Sequence, residues 1–462
     1  MTYPNVLVMG YLRKTGQLTP EWQMKLDEAL NLGYQRLLTF EVKGGGFDWY
    51  GAAPAKTILT AYGILEFTDM AKVRDVDPEI VARAKRVLYE RQDRDGAWSL
   101  DMPMHTWHSL GNARLPLTAY VVWALREAGL RDAEVERGAA WVAAHATEAA
   151  DPYVQALVAL ALGRPSDVQP LEKSAIREGA LAHWGASGDG LCGARGFTSD
   201  IEATALAALA CGRAKSPRAA EALGWLSKNR QPHGDWGSTQ ATILAIKALL
   251  EDGGAAKKPE RPVHVKLRVN GREIVGAFRE INGETFDLYQ QAEIPVAEGE
   301  NTVELESDGE LSASYQVAGR FYLPWHLAPR PEAPPLSIEV AYDKQEIDLD
   351  GVLHATAIMT LRGRETSMVI ADLGIPPGFE PDASAFERLR ETGVIDKYAL
   401  TGRQITLYFG KVAPDAPIRI NYDLRPRFPI EAQSPACGVY EYYAPDNNGV
   451  SGPRKVIVRQ RK

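Results

Sequence analysis

The sequence predicts a multidomain α + β protein, in which an α/α toroid of six helix pairs is followed by two antiparallel β-sandwich domains. The first half of the chain is rich in Ala and Leu with helical periodicity. The remainder alternates apolar and polar residues between tight turns, as β-strands do. Segments rich in Gly, Pro and charge at 251–262 and 326–337 separate these parts. We therefore expect domains at 1–256, 262–326 and 336–462.

Six apolar helices recur in the first part at separations of roughly 35 to 60 residues, which suits one helix pair per repeat. Because they carry Ala and Leu on nearly every face, they should be buried all round, with more polar, capped helices between them. Six buried helices inside a ring of polar ones form a toroid. The six segments are YPNVLVMGYL, TILTAYGILEF, LPLTAYVVWAL, YVQALVALALG, SDIEATALAALA and STQATILAIKALL.

The loops between helix pairs share a second pattern. Gln92, Asp95, Gly96 and Trp98 form Q-x-x-D-G-x-W, and QPHGDW at 231–236 repeats it one residue shorter. Glycine permits a sharp turn, tryptophan can fill the gap between helix pairs, and glutamine can bind exposed backbone groups at a helix end. We interpret the pattern as structural rather than catalytic.

Composition excludes several function classes. The formal charge of −8 over 462 residues and the lack of a basic patch argue against a nucleic-acid partner. No apolar run is long enough to span a membrane, and the first residues lack a signal-peptide pattern.

Cys192, Cys211 and Cys437 are far apart and form no C-x-x-C, so buried free thiols are expected, with no disulfide framework and no zinc site. We expect no cofactor and no metal.

Two families combine such a toroid with such loops. Terpene cyclases and prenyltransferases need D-x-D-D as a catalytic acid or D-D-x-x-D to hold magnesium. Neither motif is present; DVDPE and DLDG are the nearest, and both read as caps or turns. A divergent enzyme of this class is therefore the weaker alternative.

Three other segments occur in a fixed order. They are YLRKTGQLTPEWQMKLDEALNLGYQRLL with STQATILAIKALL, then VNGREI with VAEGENTVELESDGELSASYQV, and last SMVIADLGIPPGFEPDASAFERL with ACGVYEYYAPDN. In this order they resemble the thioester domain, a CUB-like β segment and the receptor-binding macroglobulin domain of the α2-macroglobulin and complement thioester family. The scarcity of cysteine resembles a bacterial member more than a vertebrate one.

The resemblance implies that the thioester lies outside this chain. In the family a Cys-x-Glu-Gln stretch precedes the segment that matches TYPNVLVMGYL. The positions three residues after the cysteines are Arg195, Ala214 and Tyr440, never Gln. The resemblance therefore implies a C-terminal fragment of a broad-spectrum endopeptidase inhibitor, whose segment 262–326 is the second half of a CUB-like domain with an exposed sheet edge.

Further expectations follow from the same resemblance. The chain is not an enzyme, and the parent protein is extracellular or periplasmic. Its partners are proteases, through the complete protein, and the missing N-terminal macroglobulin and CUB portions. The fragment is expected to be a monomer. The alternative from another class is a thioester-less interaction or scaffold protein.

A histidine about a hundred residues beyond the thioester cysteine steers acyl transfer in complement-like members. The matching loop reads SLDMPMHTWHSLG, so His105 and His108 are the candidates. Histidine can act as nucleophile or base near neutral pH, but two solvated loop histidines are the simpler interpretation. A metal pair is disfavoured because no third ligand stands nearby.

The C-terminal part holds two further features. Tyr440, Tyr442 and Tyr443 could form a binding surface, but alternating strand positions favour partly buried packing. The receptor-binding helix of vertebrate relatives uses lysines, whereas the matching helix here offers Arg388 and Arg390. Because Arg and Lys are not equivalent in such contacts, receptor binding is not expected.

Overall fold

The described residues of the first part of the chain form eleven α-helices. The computed structural model describes residues 2–16, 18–101, 113–232, 234–252, 259, 261–282, 290–311, 315–319, 321–325, 327 and 334–460. The helices are α1 Thr2–Thr15, α2 Pro20–Leu38, α3 Thr57–Ala71, α4 Pro78–Glu90, α5 Arg114–Glu127, α6 Ala133–His145, α7 Pro152–Leu162, α8 Gln169–Ser174, α9 Phe197–Arg213, α10 Arg218–Lys228 and α11 Thr239–Asp252. A short hairpin, β1 Ile176–Glu178 and β2 Leu181–His183, precedes α9.

The odd-numbered helices form an inner ring. Each contacts the next one in the series α1, α3, α5, α7, α9 and α11, and α1 contacts α11 to close it. All residues from Leu115 to Leu125 of α5 are buried, whereas α4 buries only Ile80, Ala84 and Leu88. The toroid prediction is confirmed, and all six predicted apolar segments are inner helices. Residues 253–258, which follow α11, lie outside the described part, so five outer helices are described.

Local sequence explains where several helices begin. Thr19, Asp77 and Asp151 each precede a proline at the first helical position. Their side chains accept hydrogen bonds from the backbone N–H two or three residues on, at 2.8–3.3 Å. Proline has no N–H to leave unpaired there, and the polar side chain satisfies one of the free donors of the first turn.

Three tryptophans join an outer helix to the next inner helix. Each indole N–H donates to a backbone carbonyl of the outer helix, and each tryptophan backbone N–H donates to a threonine hydroxyl of the inner helix. The structural interpretation of the Q-x-x-D-G-x-W loops is confirmed, and Trp184 adds a third case. The sets are Trp98 with Leu88 and Thr118, Trp184 with Leu171 and Thr204, and Trp236 with Leu226 and Thr242, at N···O distances of 2.7–3.0 Å.

Gln92 has the role that the pattern predicts. Its side-chain amide donates to the backbone carbonyls of Gly96, at 2.8 Å, and of Glu134 in the first turn of α6, at 2.7 Å. Gly96 has a φ of +97°, a conformation that only glycine adopts readily, so the turn depends on it.

A small antiparallel sheet follows the toroid, with strand order β4-β3-β5. Its inner face buries Leu267 and Val269, and within the described part of 261–327 it has three strands. The strands are β3 Val265–Val269, β4 Arg272–Glu273 and β5 Val303–Ser307.

The last part is a β-sandwich with one helix. Sheets of order β10-β13-β8-β6 and β11-β12-β9-β15-β16 enclose the core, and a third of order β14-β17-β7 contains a parallel pair, β17 with β7, in an otherwise antiparallel domain. The elements are β6 Leu336–Tyr342, β7 Glu346–Asp348, β8 Leu353–Leu361, β9 Thr366–Gly374, β10 Phe379–Pro381, α12 Ser384–Glu391, β11 Lys397–Leu400, β12 Gln404–Val412, β13 Ile418–Pro426, β14 Ile430–Gln433, β15 Cys437–Glu441, β16 Ala444–Ser451 and β17 Lys455–Arg459.

Among the helices that the structure describes, none combines the length and the apolar character needed to cross a bilayer.

Candidate functional site

The predicted site residues His105 and His108 lie outside the described residues, in the segment 102–112. The residue before that segment, Asp101, accepts a hydrogen bond from the backbone N–H of Thr57, the first residue of α3, at 2.5 Å. It also pairs with Arg91 at 2.8 Å. Asp101 therefore lies at the end of the toroid where α3 begins.

The sandwich reaches the toroid through a tight hairpin. Strands β15 and β16 pair antiparallel, and Tyr442 and Tyr443 form the two-residue turn between them, here called the hairpin tip. The prediction that the three tyrosines occupy alternating strand positions is wrong, because only Tyr440 lies in a strand. The predicted packing role holds for Tyr443, which is buried, whereas 37% of Tyr442 is exposed.

The hairpin tip packs on the end of the toroid where the inner helices begin. The Tyr443 ring lies 3.0 Å from where a Cβ on Gly193 would stand, and Gly193 has a φ of +84°, so a side chain there would crowd the ring and strain the backbone. The Tyr443 carbonyl accepts the backbone N–H of Arg195 at 3.4 Å. The Tyr442 hydroxyl lies 3.2 Å from the hydroxyl of Thr239, the first residue of α11.

A buried arginine joins the two domains beside the tip. The Arg195 guanidinium donates through Nε to Asp189 at 2.9 Å and through an Nη to the Thr366 hydroxyl at 2.8 Å. The Glu441 carboxylate lies 3.6 Å from the same Nη. Only 7–10% of the Arg195, Asp189 and Glu441 side chains is exposed. Asp189 belongs to the toroid, whereas Thr366 and Glu441 belong to the sandwich.

The neighbouring helices hold the loop that carries Arg195. The Tyr153 hydroxyl of α7 accepts the backbone N–H of Leu191 at 3.0 Å. From α9, the Ser199 hydroxyl donates to the Gly188 carbonyl at 3.0 Å. Inside the loop, the N–H of Gly190 bonds to the carbonyl of Ala194 at 2.8 Å. The loop is therefore a fixed surface for the tip.

Polar groups lie buried behind this loop. Burial raises the pKa of Glu202 to about 8, and the Ser238 hydroxyl donates to one of its oxygens at 3.5 Å. The other oxygen has no hydrogen-bond partner among the residues that the structure describes. Burial likewise raises the pKa of Glu66, on α3, to about 8. Both carboxyl groups are therefore largely neutral near pH 7.

The Cys192 thiol is buried in the same loop, next to Gly193, which faces the Tyr443 ring. Burial raises its pKa, and the nearby Glu202 raises it further. Because the thiolate is the reactive form, the thiol is inert while it stays buried. In the described ranges no three His, Cys, Asp or Glu side chains group as metal ligands would. The described site thus excludes water and joins two domains, and it presents no activated nucleophile.

Sequence reasoning missed Arg195, Asp189 and Glu441. The loop DGLCGAR had drawn notice only through Cys192. Arg195 and Glu441 are 246 positions apart, and nothing in a single sequence joins them. The two adjacent tyrosines were the available signal, since a hairpin turn of two exposed aromatics is costly unless something covers them.

Comparison with known proteins agrees with this architecture. Residues 1–251 match the family model of the A-macroglobulin TED domain, and residues 364–451 match that of the A-macroglobulin receptor binding domain. The chain belongs to the α2-macroglobulin and complement thioester protein family. Arg195 thus lies in the TED domain, whereas Thr366 and Glu441 lie in the receptor-binding domain, so the junction is a contact between two family domains.

Two relatives in the family match nearly the whole chain. Ovostatin of Gallus gallus is 24% identical over 476 residues, covering 97% of this chain and 32% of ovostatin. Complement C3 of Oncorhynchus mykiss is 25% identical over 474 residues, covering 96% of this chain and 28% of C3. The chain thus spans about a third of the length of these α2-macroglobulin relatives.

The solved structures support the fold. Native α2-macroglobulin of Escherichia coli, spanning domain MG7 to the C-terminus, aligns with a TM-score of 0.63 at 14% identity. The alignment covers 99% of this chain and 72% of that structure.

Proposed function

We propose that this chain is the C-terminal part of an α2-macroglobulin-like broad-spectrum endopeptidase inhibitor, which traps proteases and captures them through a thioester carried outside residues 1–462. Family membership supports the class of activity, and the partial coverage of the relatives supports a larger parent protein. The parent acts outside the cytoplasm, in the extracellular space or the periplasm. On its own the chain neither inhibits proteases nor turns over a substrate.

The observation that carries the proposal is the position of the hairpin tip. In the family the thioester precedes the segment that matches the start of α1. The Tyr3 ring of α1 packs edge-on against the Tyr62 ring of α3, with the two ring centroids 5.9 Å apart. The tip also lies at the end of the toroid where the inner helices begin, because Tyr442 meets Thr239, the first residue of α11. An acyl group there would be covered by aromatic rings, and a thioester needs such cover because water hydrolyses it.

Exposed aromatic residues after the small sheet support the proposal that another portion of the parent protein binds there. The segment after β5 has four exposed aromatic side chains, here called the aromatic strip, with exposed fractions of 43–90%: Tyr315, Phe321, Tyr322 and Trp325. Exposed apolar area of this kind marks a surface that is normally covered. We propose that the N-terminal macroglobulin and CUB-like portions of the parent protein cover this strip.

His105 is proposed to steer acyl transfer in the parent protein, with His108 as the second candidate. In a thioester-bearing protein, His105→Ala should shift transfer from hydroxyl to amine acceptors, measured with labelled glycerol and methylamine. His108→Ala is the matched variant. An unchanged preference in both variants would remove the role.

The function is tested by isolating the protein from its source and reading its N-terminal peptides by mass spectrometry. A peptide ahead of Met1 that contains Cys-x-x-Gln is expected. That protein should then protect a macromolecular substrate from trypsin stoichiometrically and release one thiol per chain with methylamine. A native start at Met1, or protection by residues 1–462 alone, would contradict the proposal and favour a scaffold protein.

A further inference from the structure

One carboxyl oxygen inside the toroid has no hydrogen-bond partner among the described residues. Glu202 of α9 is fully buried. Of the buried carboxyl oxygens that the structure describes, its Oε2 is the one without a hydrogen bond. A polar group that is buried and unpaired destabilises a fold, so a partner for Oε2 is expected from outside the described residues.

The proton of this acid lies on the unpaired oxygen. The Ser238 hydroxyl accepts the backbone N–H of Ala241 at 3.0 Å and donates its own hydrogen to Oε1 of Glu202 at 3.5 Å. Because Oε1 is the acceptor, a neutral carboxyl group carries its hydrogen on Oε2. A Cβ on Gly190 would stand 2.6 Å from Oε2, so a side chain at Gly190 would displace the acidic O–H.

Glu202 lies near the end of the toroid where the inner helices begin. It is the sixth residue of α9, so its Cα is about 8 Å along the helix axis from the first residue. Ser238 immediately precedes α11, and α11 contacts both α9 and α1. The Tyr3 ring at the start of α1 meets Tyr62, the sixth residue of α3. A thioester just ahead of α1 would therefore lie at the same end as Glu202.

We propose that Glu202 is the acid that protonates the sulfur of the thioester when the thioester is opened. The nitrogen or oxygen of the acceptor forms a bond to the acyl carbon, and the C–S bond breaks with its electron pair on sulfur. The Oε2 proton of Glu202 passes to that sulfur and gives a free thiol. The acceptor loses a proton to water, and water returns one to Glu202. The inference rests on the proposed function and deepens it by assigning a residue of this chain to the acyl transfer.

The titratable groups around Glu202 are poorer acids. Four of them interact electrostatically with it, and burial raises the pKa of each: Tyr120 of α5, Tyr153 of α7, Cys192 of the loop and Tyr443 of the tip. All four therefore stay neutral below about pH 10. The pKa of Glu202 is raised only to about 8, which suits an acid that gives up a proton near neutral pH.

The experiment measures the rate of thiol release from the parent protein by methylamine, expressed per free amine, as a function of pH. In the unaltered protein the rate should be constant below about pH 8 and fall about tenfold per pH unit above it. Glu202→Gln keeps the size of the side chain and a hydrogen-bond donor but has no acidic proton. Release should therefore slow about 100-fold and lose its pH dependence.

Glu66→Gln is the matched control. Glu66 is also buried with a pKa raised to about 8, but it is the tenth residue of α3 and lies about one turn deeper in its helix than Glu202. This variant should release its thiol at the unaltered rate. A second readout needs no thioester: at pH 7 the infrared carbonyl band of protonated carboxyl groups in residues 1–462 should lose intensity in Glu202→Gln.

A loss of rate below about tenfold in Glu202→Gln, an equal loss in Glu66→Gln, or an unchanged infrared band would overturn the inference. If Glu202→Gln forms no thioester, the pH profile of the unaltered protein decides: a fall above about pH 8 supports the inference, and a constant rate overturns it. If the unaltered parent protein releases no thiol at all, the proposed function fails and this inference fails with it. Thiol release at equal rates in both proteins rejects the role of Glu202 alone.

Discussion

Lys247 of α11 donates a hydrogen bond to Asp69 of α3 across 2.7 Å, and both side chains are buried. Tyr3 of α1 donates to the same carboxylate oxygen, also at 2.7 Å. Because α1 lies between α11 and α3, Asp69 joins the three helices where the ring closes. Burial raises the pKa of Asp69, but Lys247 and Lys72 lower it by more, so the carboxylate stays charged.

Replacing Lys247 with Ala should destabilise the toroid by about 3 kcal/mol, because the Asp69 charge stays buried with less compensation. Nine of the ten tryptophans precede residue 250, so urea unfolding followed by tryptophan fluorescence reports on the toroid. Pairing lowers the pKa of Asp69. The stabilisation that the pair gives the toroid is therefore fully present above the ordinary Asp pKa, and it is lost as the pH falls through the lowered pKa of the folded state. Lys25→Ala, at an exposed pair, is the control; equal effects would contradict the prediction.

Glu202→Gln should flatten the pH dependence of toroid stability. Between the ordinary pKa of 4.5 and about 8, the folded toroid keeps a proton that the unfolded chain has lost. Stability therefore falls as pH rises through this window, by about 1.4 kcal/mol per pH unit for one group. The variant should lose that part of the slope, while Glu66 still contributes its own part. Glu28→Gln, at an exposed position, should keep the full slope; a full slope in Glu202→Gln would refute the prediction.

Thr204→Val should cost about 1–3 kcal/mol, because it leaves the backbone N–H of Trp184 buried without an acceptor. Thr118→Val and Thr242→Val test the same bond at Trp98 and Trp236 and should cost similar amounts. Urea unfolding measures all three. Thr147→Val changes an exposed threonine and should be near neutral. A negligible loss of unfolding free energy at all three sites would show that these hydrogen bonds do not hold the outer and inner helices together.

The aromatic strip should make the isolated chain self-associate. Phe321 is 75% exposed and Tyr322 is 90% exposed. Sedimentation velocity at increasing concentration should show association that the double variant Phe321→Ser, Tyr322→Ser weakens, with urea unfolding of the toroid unchanged. Val450→Ser, at an exposed strand position away from the strip, serves as the control. If the double variant associates as strongly as the unaltered chain, the self-association must use another surface.

The toroid was predictable because its signals are local. Six Ala- and Leu-rich helices, and the caps at Thr19 and Asp77, can each be read within a dozen residues. The loop around Trp184 escaped notice because AHWGASGDG lacks the glutamine and the spacing of the other two loops. Its backbone bond to Thr204 nevertheless spans 20 positions, the same separation as Trp98 and Thr118. Trp236 and Thr242 are only six positions apart, so the spacing relates Trp184 to Trp98 alone.

The junction could not be predicted in the same way. Alternating tyrosines indicate a strand, but at Glu441 the register shifts and the chain turns after it. The partners of Arg195 depend on how two domains meet, and each half of that contact reads as an ordinary charged residue. Glu202 follows Asp200 by two residues in an apolar helix, and an acid in a helix usually indicates a solvent-facing position.

The hairpin tip lies at one end of a long strand, so a small rotation of the sandwich moves the tip a large distance. Strand β16 has eight residues and is therefore about 26 Å long, with the tip at one end. A rotation of the sandwich by about 10° about the far end of that strand would carry the tip roughly 4–5 Å. A displacement of this size is larger than the distance over which a hydrogen bond can persist. It would therefore separate the groups that bond at Arg195 and the ring that packs on Gly193. A modest swing of the sandwich would thus break the Arg195–Tyr443 backbone bond and the Tyr442–Thr239 hydroxyl contact together, because both lie at the same end of the strand.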